Sequence, residues 1–471
     1  MRQANALRGS AGGVSARRSV RPLRQCCPAF LPHLSPNVKE LLICAVASSR
    51  VWLQGMSRRR FKKDPVVRFS NGKRERMVGA QLLDLLKGPL RALRDSEALP
   101  KHGNRDLLPD HILVAHLVAF FNPTAATLRR IEDVFESKDA RKRFGLPRTP
   151  RTTLSDAQKL FDPSLLTPII DALKQRLPNM SHDPRLDQIT QKLLAVDGTF
   201  FAMLPHIIWA IHHRYDRPGA VDPRGHARLD LHLDLKYGTP DAAVVSGDRL
   251  SEQDSLADHL EPGCFYILDR GFQAYSLFGK IIEQGSDFVV RFRRDIAFDV
   301  VCERPPNADD RIAGVVRDAE IHLRGHRAKA GLKRPQLRLV ELRCEGKDDS
   351  IILLTNRIDL SAELIGLLYR HRWQIELFFR WLKCTIGFGH FMSESLAGVT
   401  LQIYAALIGT LLIAVQTNSK PSVYAFSMMH NVVSGLVPAE EAVPIMARRM
   451  RITARDAERA KARRAEKKKQ P

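Results

Sequence analysis

Three acidic residues lie where their carboxylates could hold metal ions. Asp197 follows the apolar run 193–196, and Asp269 follows the apolar run 265–268. An acid directly after a hydrophobic strand lies at the edge of an α/β sheet, where ligands bind. Glu376 lies in a segment whose apolar spacing predicts a helix. Together the three carboxylates suit Mg²⁺ or Mn²⁺, which prefer oxygen ligands, although either aspartate alone also fits a plain turn.

The helix that carries Glu376 is predicted over about residues 362–383 and has two distinct faces. At 100° per residue, four polar side chains project within an arc of about 60° and a fifth falls on the same face: Tyr369, Arg372, Glu376, Lys383 and Arg380. The opposite side is apolar: Leu364, Leu367, Leu368, Ile375, Phe378, Phe379 and Leu382. An amphipathic helix with a salt-bridged solvent face has the same spacing. The two aspartates upstream favour a catalytic face.

Two divalent ions held by Asp197, Asp269 and Glu376 could cleave a phosphodiester bond. Such a pair activates the attacking oxygen and stabilises the leaving oxygen. Arg372 and Lys383 would hold phosphates and offset developing charge. Four further acids are interpreted as structural, the first two as part of a solvent-facing strand: Asp230, Asp234, Asp248 and Glu252.

The overall composition favours a polyanionic partner. The chain has 471 residues, a formal net charge of +23 and 44% hydrophobic residues. This length predicts about three domains, and the apolar content is enough for packed cores. A positive excess of this size drives binding to nucleic acid through counterion release, although membrane-surface and ribosomal-type proteins share it.

Several features bear on the compartment and on the ends of the chain. The seven cysteines form no CxxC pair, which argues against a disulfide framework and indicates a reducing compartment. Residues 1–39 contain no acid. A transit peptide has this composition, but a basic arm or a start at Met56 is favoured. The apolar stretch 399–415 is interpreted as a buried core helix and not as a membrane span.

The pattern of elements predicts helices first and a mixed α/β region later. Short β-rich runs separated by breakers begin near residue 190, and charged, alternating strands follow residue 294. The predicted segments are a basic extension at 1–55, a helical basic domain at 56–185, the first part of an α/β domain at 186–293, a β-rich insertion at 294–350, the second part of the α/β domain at 351–420, and a basic tail at 421–471.

Three blocks of this sequence resemble the DDE transposases of bacterial insertion sequences, in the insertion-sequence-four family. Tyr369, Arg372, Glu376 and Lys383 reproduce that family's Y-x2-R-x3-E-x6-K signature. VDGT at 196–199 resembles its first aspartate block, LDRGF at 268–272 its second, and residues 355–383 its third. The resemblance covers roughly residues 190–415.

The resemblance implies a ribonuclease-H-like catalytic domain with a β-rich insertion, preceded by a helical DNA-binding domain. It implies that Asp197, Asp269 and Glu376 bind two Mg²⁺ or Mn²⁺ ions. Tyr369, Arg372 and Lys383 would contact terminal phosphates, and Arg380 lies on the same helix face. The implied reaction is binding of terminal inverted repeats, nicking by water and joining of the 3′ end to target DNA.

The resemblance also sets expectations about partners and alternatives. We expect double-stranded DNA as transposon end and target, a homodimer on DNA, no membrane, and a bacterial cytoplasmic, nucleoid-associated location. Some members form a hairpin with a flipped base stacked on an aromatic side chain. The 294–350 insertion contains no tryptophan, so this step is in doubt. A structure-specific nuclease of the same fold and a catalytically silent DNA-binding repressor remain as alternatives.

Overall fold

The computed structural model describes thirteen stretches of the chain: 83–96, 107–122, 126–177, 183–203, 207–210, 225–247, 251–295, 297–325, 335–343, 350–385, 391–417, 420–434 and 436–469. The predicted extension at 1–55, the alternative start at Met56 and the candidate acid Asp248 lie outside these residues. From Glu75 to Pro471 the chain clusters as one compact unit.

A nine-stranded mixed sheet forms the centre of this unit. Its strands are β1 (Lys192–Met203), β2 (Gly225–Asp234), β3 (Thr239–Ser246), β4 (Cys264–Leu268), β5 (Asp287–Phe292), β6 (Phe298–Glu303), β7 (Val315–Leu323), β8 (Leu337–Arg343) and β9 (Ser350–Thr355). Their spatial order is β3-β2-β1-β4-β5-β9-β8-β7-β6. The pairs β1–β4 and β4–β5 are parallel, and the remaining pairs are antiparallel. The predicted mixed α/β class is confirmed.

Fourteen α-helices are described around this sheet. They are α1 (Lys87–Asp95), α2 (Pro109–Phe121), α3 (Leu128–Glu136), α4 (Lys138–Phe144), α5 (Arg151–Leu160), α6 (Thr167–Lys174), α7 (Glu252–Asp258), α8 (Tyr275–Glu283), α9 (Ala308–Ile312), α10 (Ala362–His371), α11 (Trp373–Thr385), α12 (Leu396–Thr417), α13 (Val423–Val433) and α14 (Ala439–Lys469). The described part of segment 56–185 is helical up to α6.

The central strands are buried on both faces. Successive side chains of a strand point to opposite sides, so a continuous apolar run needs cover on both. Leu193 belongs to the hydrophobic cluster that contains Ile375 of α11. Leu194 belongs to a second cluster that contains Leu256 of α7 and Phe278 of α8. This two-sided packing explains why the run 193–196 forms a strand and where the helices must lie.

Helix α12 lies inside the molecule. It is the one described helix long and apolar enough to cross a membrane by length and composition, and 78% of its apolar window is buried. It packs against α2, α5, α6 and β3. Its Tyr404 hydroxyl donates a hydrogen bond of 2.7 Å to the Ala243 carbonyl of β3. Its burial is that of a core helix that joins the helical segment to the sheet.

Strands β6 to β9 continue the central sheet. β9 pairs with β5 on one side and with β8 on the other. The guanidinium of Arg338 on β8 donates to both oxygens of Asp318 on β7, at 2.7 and 2.8 Å, and Arg338 is buried. The same guanidinium donates to the Ile358 carbonyl at 3.2 Å. The strands predicted as an insertion are thereby tied to the segment that leads into α10.

The helix predicted over about 362–383 is divided into α10 and α11 at Arg372. Arg372 N–H donates to the Tyr369 carbonyl at 3.1 Å, and Ile375 N–H donates to the Arg372 carbonyl at 3.1 Å. These bonds span three residues, so the helix tightens locally at this position. The predicted apolar face is nevertheless buried throughout: Leu364, Leu367, Leu368, Ile375, Phe378, Phe379 and Leu382.

The segment predicted as a basic tail is helical where it is described. Ala425, Phe426 and Met429 of α13 are buried, and Phe426 contacts the ring of Phe120 edge to face at 5.2 Å. α14 is a helix of 31 residues that contains Pro444. The first part of this segment therefore contributes to the core.

The close packing of α12 on α2 generates a prediction. A Cβ atom added at Gly409 would overlap the ring of Phe120, whereas one added at Gly88 of α1 has nothing within 4 Å. Overpacking costs about 1–3 kcal/mol, although a helical Gly→Ala change alone is favourable by up to ~1 kcal/mol. After this gain is subtracted, we expect Gly409→Ala to lower the free energy of unfolding in urea by up to about 2 kcal/mol and Gly88→Ala to leave it unchanged or higher. Equal stability of the two variants would contradict this packing.

Candidate active site

Asp197 and Asp269 each follow the last residue pair of the parallel β1–β4 ladder. The parallel ladder of β1 and β4 ends with the pair Val196–Leu268. The next residue after each member of this pair is an aspartate, so strand pairing brings the two carboxylates to one edge. β1 itself runs on to Met203, because β2 continues to pair with it as an antiparallel partner. Asp197 therefore lies within a strand and not at its end.

Local hydrogen bonds orient both aspartates. Gly198 N–H donates to Asp197 Oδ1 at 2.9 Å. Gly271 N–H donates to Asp269 Oδ1 at 2.6 Å, and Asp269 caps the short 3₁₀ turn Arg270–Phe272. Each carboxylate is thus held by the glycine that follows it closely in the sequence.

Arg372 connects the third acid to this pair. Its Nη2 donates to Glu376 Oε1 one helical turn further on. Its Nη1 lies 3.8 Å from Asp197 Oδ2. The guanidinium therefore bridges Asp197 and Glu376. This bridge forms because the α10–α11 junction packs where the β1–β4 ladder ends. The side chain of Arg372 is largely buried.

The other residues of the predicted polar face have different surroundings. The Arg372 guanidinium lies over the ring of Tyr369 at 5.9 Å from its centroid, and burial raises the pKa of the Tyr369 phenol. Lys383 is exposed, and its Nζ lies 5.5 Å from the ring centroid of Phe201. Phe201 is on β1, about 13 Å beyond Asp197 along the strand. Arg380 is exposed. The face therefore extends from the carboxylates along β1.

The two tryptophans of α11 differ in exposure. Trp381 is 8% exposed and packs against Phe378 at 5.5 Å between ring centroids. Trp373 is 50% exposed. Trp381 therefore packs in the interior, whereas Trp373 presents half of its surface to solvent three residues before Glu376.

The negative charge at this edge is only partly compensated. Burial, the neighbouring Asp269 and Glu252 raise the pKa of Asp197 to about 7, against the opposing effects of Gly198 N–H and Arg372. Burial disfavours a charged carboxylate, and a like charge nearby disfavours it further. The Asp197 carboxyl therefore titrates near neutrality unless a further cation approaches.

Asp230 and Glu252, which the sequence pattern had marked as structural, lie against the Gly198 that follows Asp197. Asp230 and Asp234 were expected on a solvent-facing strand, but they are 6% and 9% exposed. That expectation is wrong, because β2 lies between β1 and β3 with both faces covered. Glu252, at the start of α7, raises the pKa of Asp197 and so lies within electrostatic range. The alternation of polar and apolar residues along β2 does not predict that its aspartates are buried. Glu252 reaches this edge because α7 docks against it.

The donor chemistry of the site fits a hard divalent cation. Carboxylate oxygens are the ligands that Mg²⁺ and Mn²⁺ prefer, and excess negative charge at Asp197 is what such an ion would offset. Within the described stretches, no three His, Cys, Asp or Glu side chains are already grouped as a metal site. Arg372 is bonded to Glu376 and lies beside Asp197, so it occupies the place between them.

A mixed sheet with carboxylates collected at the end of its central parallel pair defines an α/β protein with an acidic candidate active site. Residues 189–412 match the protein family described as the Transposase DDE domain. This match spans all three candidate acids and the whole of the polar helix face. Residues 189–412 are therefore similar to the DDE domain of transposases.

Two relatives support the same assignment from their sequences. A Sinorhizobium fredii protein that bears the name transposase is 34% identical over 157 residues, which are 33% of this chain and 43% of that protein. A Geobacillus stearothermophilus protein named for the transposase of an insertion sequence element is 22% identical over 299 residues, which are 63% of this chain and 74% of that protein. The chain thus spans less than half of the first relative. It is similar to transposases of insertion sequences.

A solved structure was also found to be similar. It is a piggyBac transposase synaptic complex with hairpin DNA, with a TM-score of 0.33 and 11% identity over 79% of both chains. A score this low does not establish a common fold.

The raised pKa of Asp197 predicts a pH-dependent stability. In the metal-free protein, its folded-state pKa of about 7 exceeds the ordinary value of 3.8. The protonated carboxyl contributes its full stabilisation below the pKa of the unfolded chain. This contribution is lost as the pH rises to the folded-state pKa of about 7. Asp197→Asn removes this loss. Its unfolding free energy relative to wild type should rise by roughly 2–3 kcal/mol between about pH 5 and about pH 8, from about 1.4 kcal/mol per pKa unit.

The measurement is urea unfolding in the presence of a chelator. Asp258→Asn, at an exposed position of α7, is the matched control and should show no such pH-dependent gain. A constant difference between Asp197→Asn and wild type across this pH range would mean that Asp197 is ionised throughout.

Proposed function

We propose that the protein is a transposase that cleaves the ends of an insertion sequence and joins them to target DNA. The observation that carries the proposal is that Arg372 links Asp197 to Glu376, within a region that is similar to the DDE domain of transposases. Asp197 and Asp269 lie one residue beyond the last pair of the parallel β1–β4 ladder, and Arg372 bridges Asp197 to Glu376. The names of the two relatives support the same reaction class.

Asp197, Asp269 and Glu376 would hold two Mg²⁺ or Mn²⁺ ions. When bound, a pair of such ions activates the attacking oxygen and stabilises the leaving oxygen of a phosphodiester. In the structure the Glu376 carboxylate is bonded to Arg372. Release of Glu376 would free the guanidinium to bind a DNA phosphate, for which its planar set of donors is suited. Arg372 would thus neutralise the acids without DNA and bind phosphate with it.

The remaining residues of the polar face would bind DNA beside the acids. Tyr369 packs under the Arg372 guanidinium and would contact the same phosphate region. Lys383 and Arg380 are exposed further along α11 and would contact the backbone beyond the cleavage site. Cations beside the reacting phosphate stabilise charge that develops during cleavage.

The architecture supports a ribonuclease-H-like catalytic domain. Its first five strands have the order β3-β2-β1-β4-β5, with three neighbouring parallel strands and an antiparallel pair at one side. The helical segment up to α6 would serve as the DNA-binding domain, and strands β6 to β8 as the insertion. Double-stranded DNA would be the partner, bound by two copies of the chain at paired ends.

Removal of any one acid should abolish the chemistry. We expect Asp197→Ala, Asp269→Ala and Glu376→Ala each to reduce cleavage of a labelled DNA end by about 100-fold or more, because a lost electrostatic contact of this kind costs that much. The DNA is a linear fragment that carries the sequences flanking the coding region. Binding, measured by mobility shift, should persist, and Asp258→Ala should retain cleavage. Full cleavage by any one of the three variants would refute its assignment.

The same assay distinguishes the alternative activities. Labelled ends joined covalently to a target plasmid indicate a transposase, and nicked ends alone indicate a nuclease. Binding without either product indicates a repressor.

The charge of the chain predicts a steep salt dependence of DNA binding. Each phosphate contact releases counterions, so a net charge of +23 should make the affinity fall by about 100-fold or more between about 50 and about 200 mM salt. Lys383→Gln should reduce the slope of log affinity against log salt by about one. Fluorescence anisotropy measures both. A nearly flat dependence would mean that the basic residues do not contact the DNA.

A further inference from the structure

The carboxylate of Glu252 lies against the two glycines that follow the catalytic aspartates. A Cβ atom at Gly198 would lie 2.8 Å from Glu252 Oε1, and one at Gly271 would lie 3.6 Å from Glu252 Oε2. The same Gly271 position is 2.9 Å from Asp269 Oδ1. Because neither glycine has a side chain, Glu252 approaches the ends of β1 and β4 from the α7 side of the sheet.

Two hydrogen bonds from residues just after Glu252 anchor helix α7 to the sheet. The next residue, Gln253, donates from Nε2 to the Gly271 carbonyl at 2.7 Å. Ser255 donates from Oγ to Asp230 Oδ2 at 2.7 Å. The first bond ties the helix to the Asp269 turn and the second ties it to β2. The position of the Glu252 backbone is therefore set by the elements that carry the site.

A buried acceptor lies at the same place and points independently to a missing cation or donor. Asp230 is opposite Gly198 in the β1–β2 register, and its Oδ1 lies 3.0 Å from the Cβ position of Gly198. Asp230 Oδ2 is bonded to Arg228 and Ser255, but the buried Oδ1 has no hydrogen-bond partner among the described residues. A buried carboxylate oxygen without a partner is costly, so such atoms commonly mark a site for a ligand.

We propose that Glu252 is a fourth carboxylate of the metal site, a ligand of the divalent ion that Asp197 and Asp269 hold, with Asp230 as the buried acceptor behind it. The inference rests on the proposed function, because it concerns the same ion. Its chemistry is that of a hard divalent cation with oxygen ligands.

Calorimetric titration of the purified full chain with Mn²⁺, without DNA, tests the assignment. Glu252→Gln keeps the shape of the side chain but removes its charge, and loss of a residue that tunes a metal site commonly costs 10–100-fold in affinity. We expect Glu252→Gln to weaken Mn²⁺ binding by about 10–100-fold. Glu252→Asp, which keeps the charge on a shorter side chain, should fall between Glu252→Gln and wild type.

Asp258→Asn on the same helix is the matched control and should bind Mn²⁺ like wild type. Asp197→Asn and Asp269→Asn should lose most of the binding. If Glu252→Gln binds like wild type while these two variants lose the ion, Glu252 is an acid of purely structural role and the proposed active site stands. If wild type itself binds no Mn²⁺, or the two aspartate variants bind it normally, the metal site of the proposed function fails and the role of Glu252 fails with it.

Discussion

The close placement of carboxylates where the β1–β4 ladder ends is the constraint on which the candidate site depends. Parallel pairing brings Asp197 and Asp269 into adjacent positions, where burial and the neighbouring negative charges raise the pKa of Asp197. Arg372 offsets part of that charge by lying between Asp197 and Glu376. Arg372 is therefore the cation through which the helix carrying Glu376 meets the edge carrying Asp197.

Distant parts of the chain hold Arg372 in place. Helix α10 ends next to Arg372, and its start is bonded to the predicted insertion. Glu363 N–H donates to Asp310 Oδ1 at 2.9 Å. The buried Arg338–Asp318 pair fixes the loop before α10 through the Ile358 carbonyl. A buried ion pair adds little net stability but specifies geometry, a role we assign to it here. The strands that follow β5 in the chain thus help to position the α10–α11 junction at Arg372.

On the other face of the sheet, small residues let side chains reach the same edge. Gly198 and Gly271 leave room for Glu252. Helix α7 is hydrogen-bonded to the Gly271 carbonyl and to Asp230 of β2. The sheet therefore presents carboxylates from β1, β4 and α11 on one side and from α7 and β2 on the other. Two helices from opposite faces converge where the β1–β4 ladder ends.

The amino-acid sequence by itself determined the local features of the site. Apolar runs before Asp197 and Asp269 specify buried strands, and the spacing from Tyr369 to Lys383 specifies a helix with one polar face, because both follow from periodicity over a few residues. Only the tertiary structure decided that β1 continues past Asp197, that the helix tightens at Arg372, and that Asp230 and Glu252 are neighbours of the acids. These depend on strand pairing and helix docking between residues far apart in the chain, which no local spacing encodes.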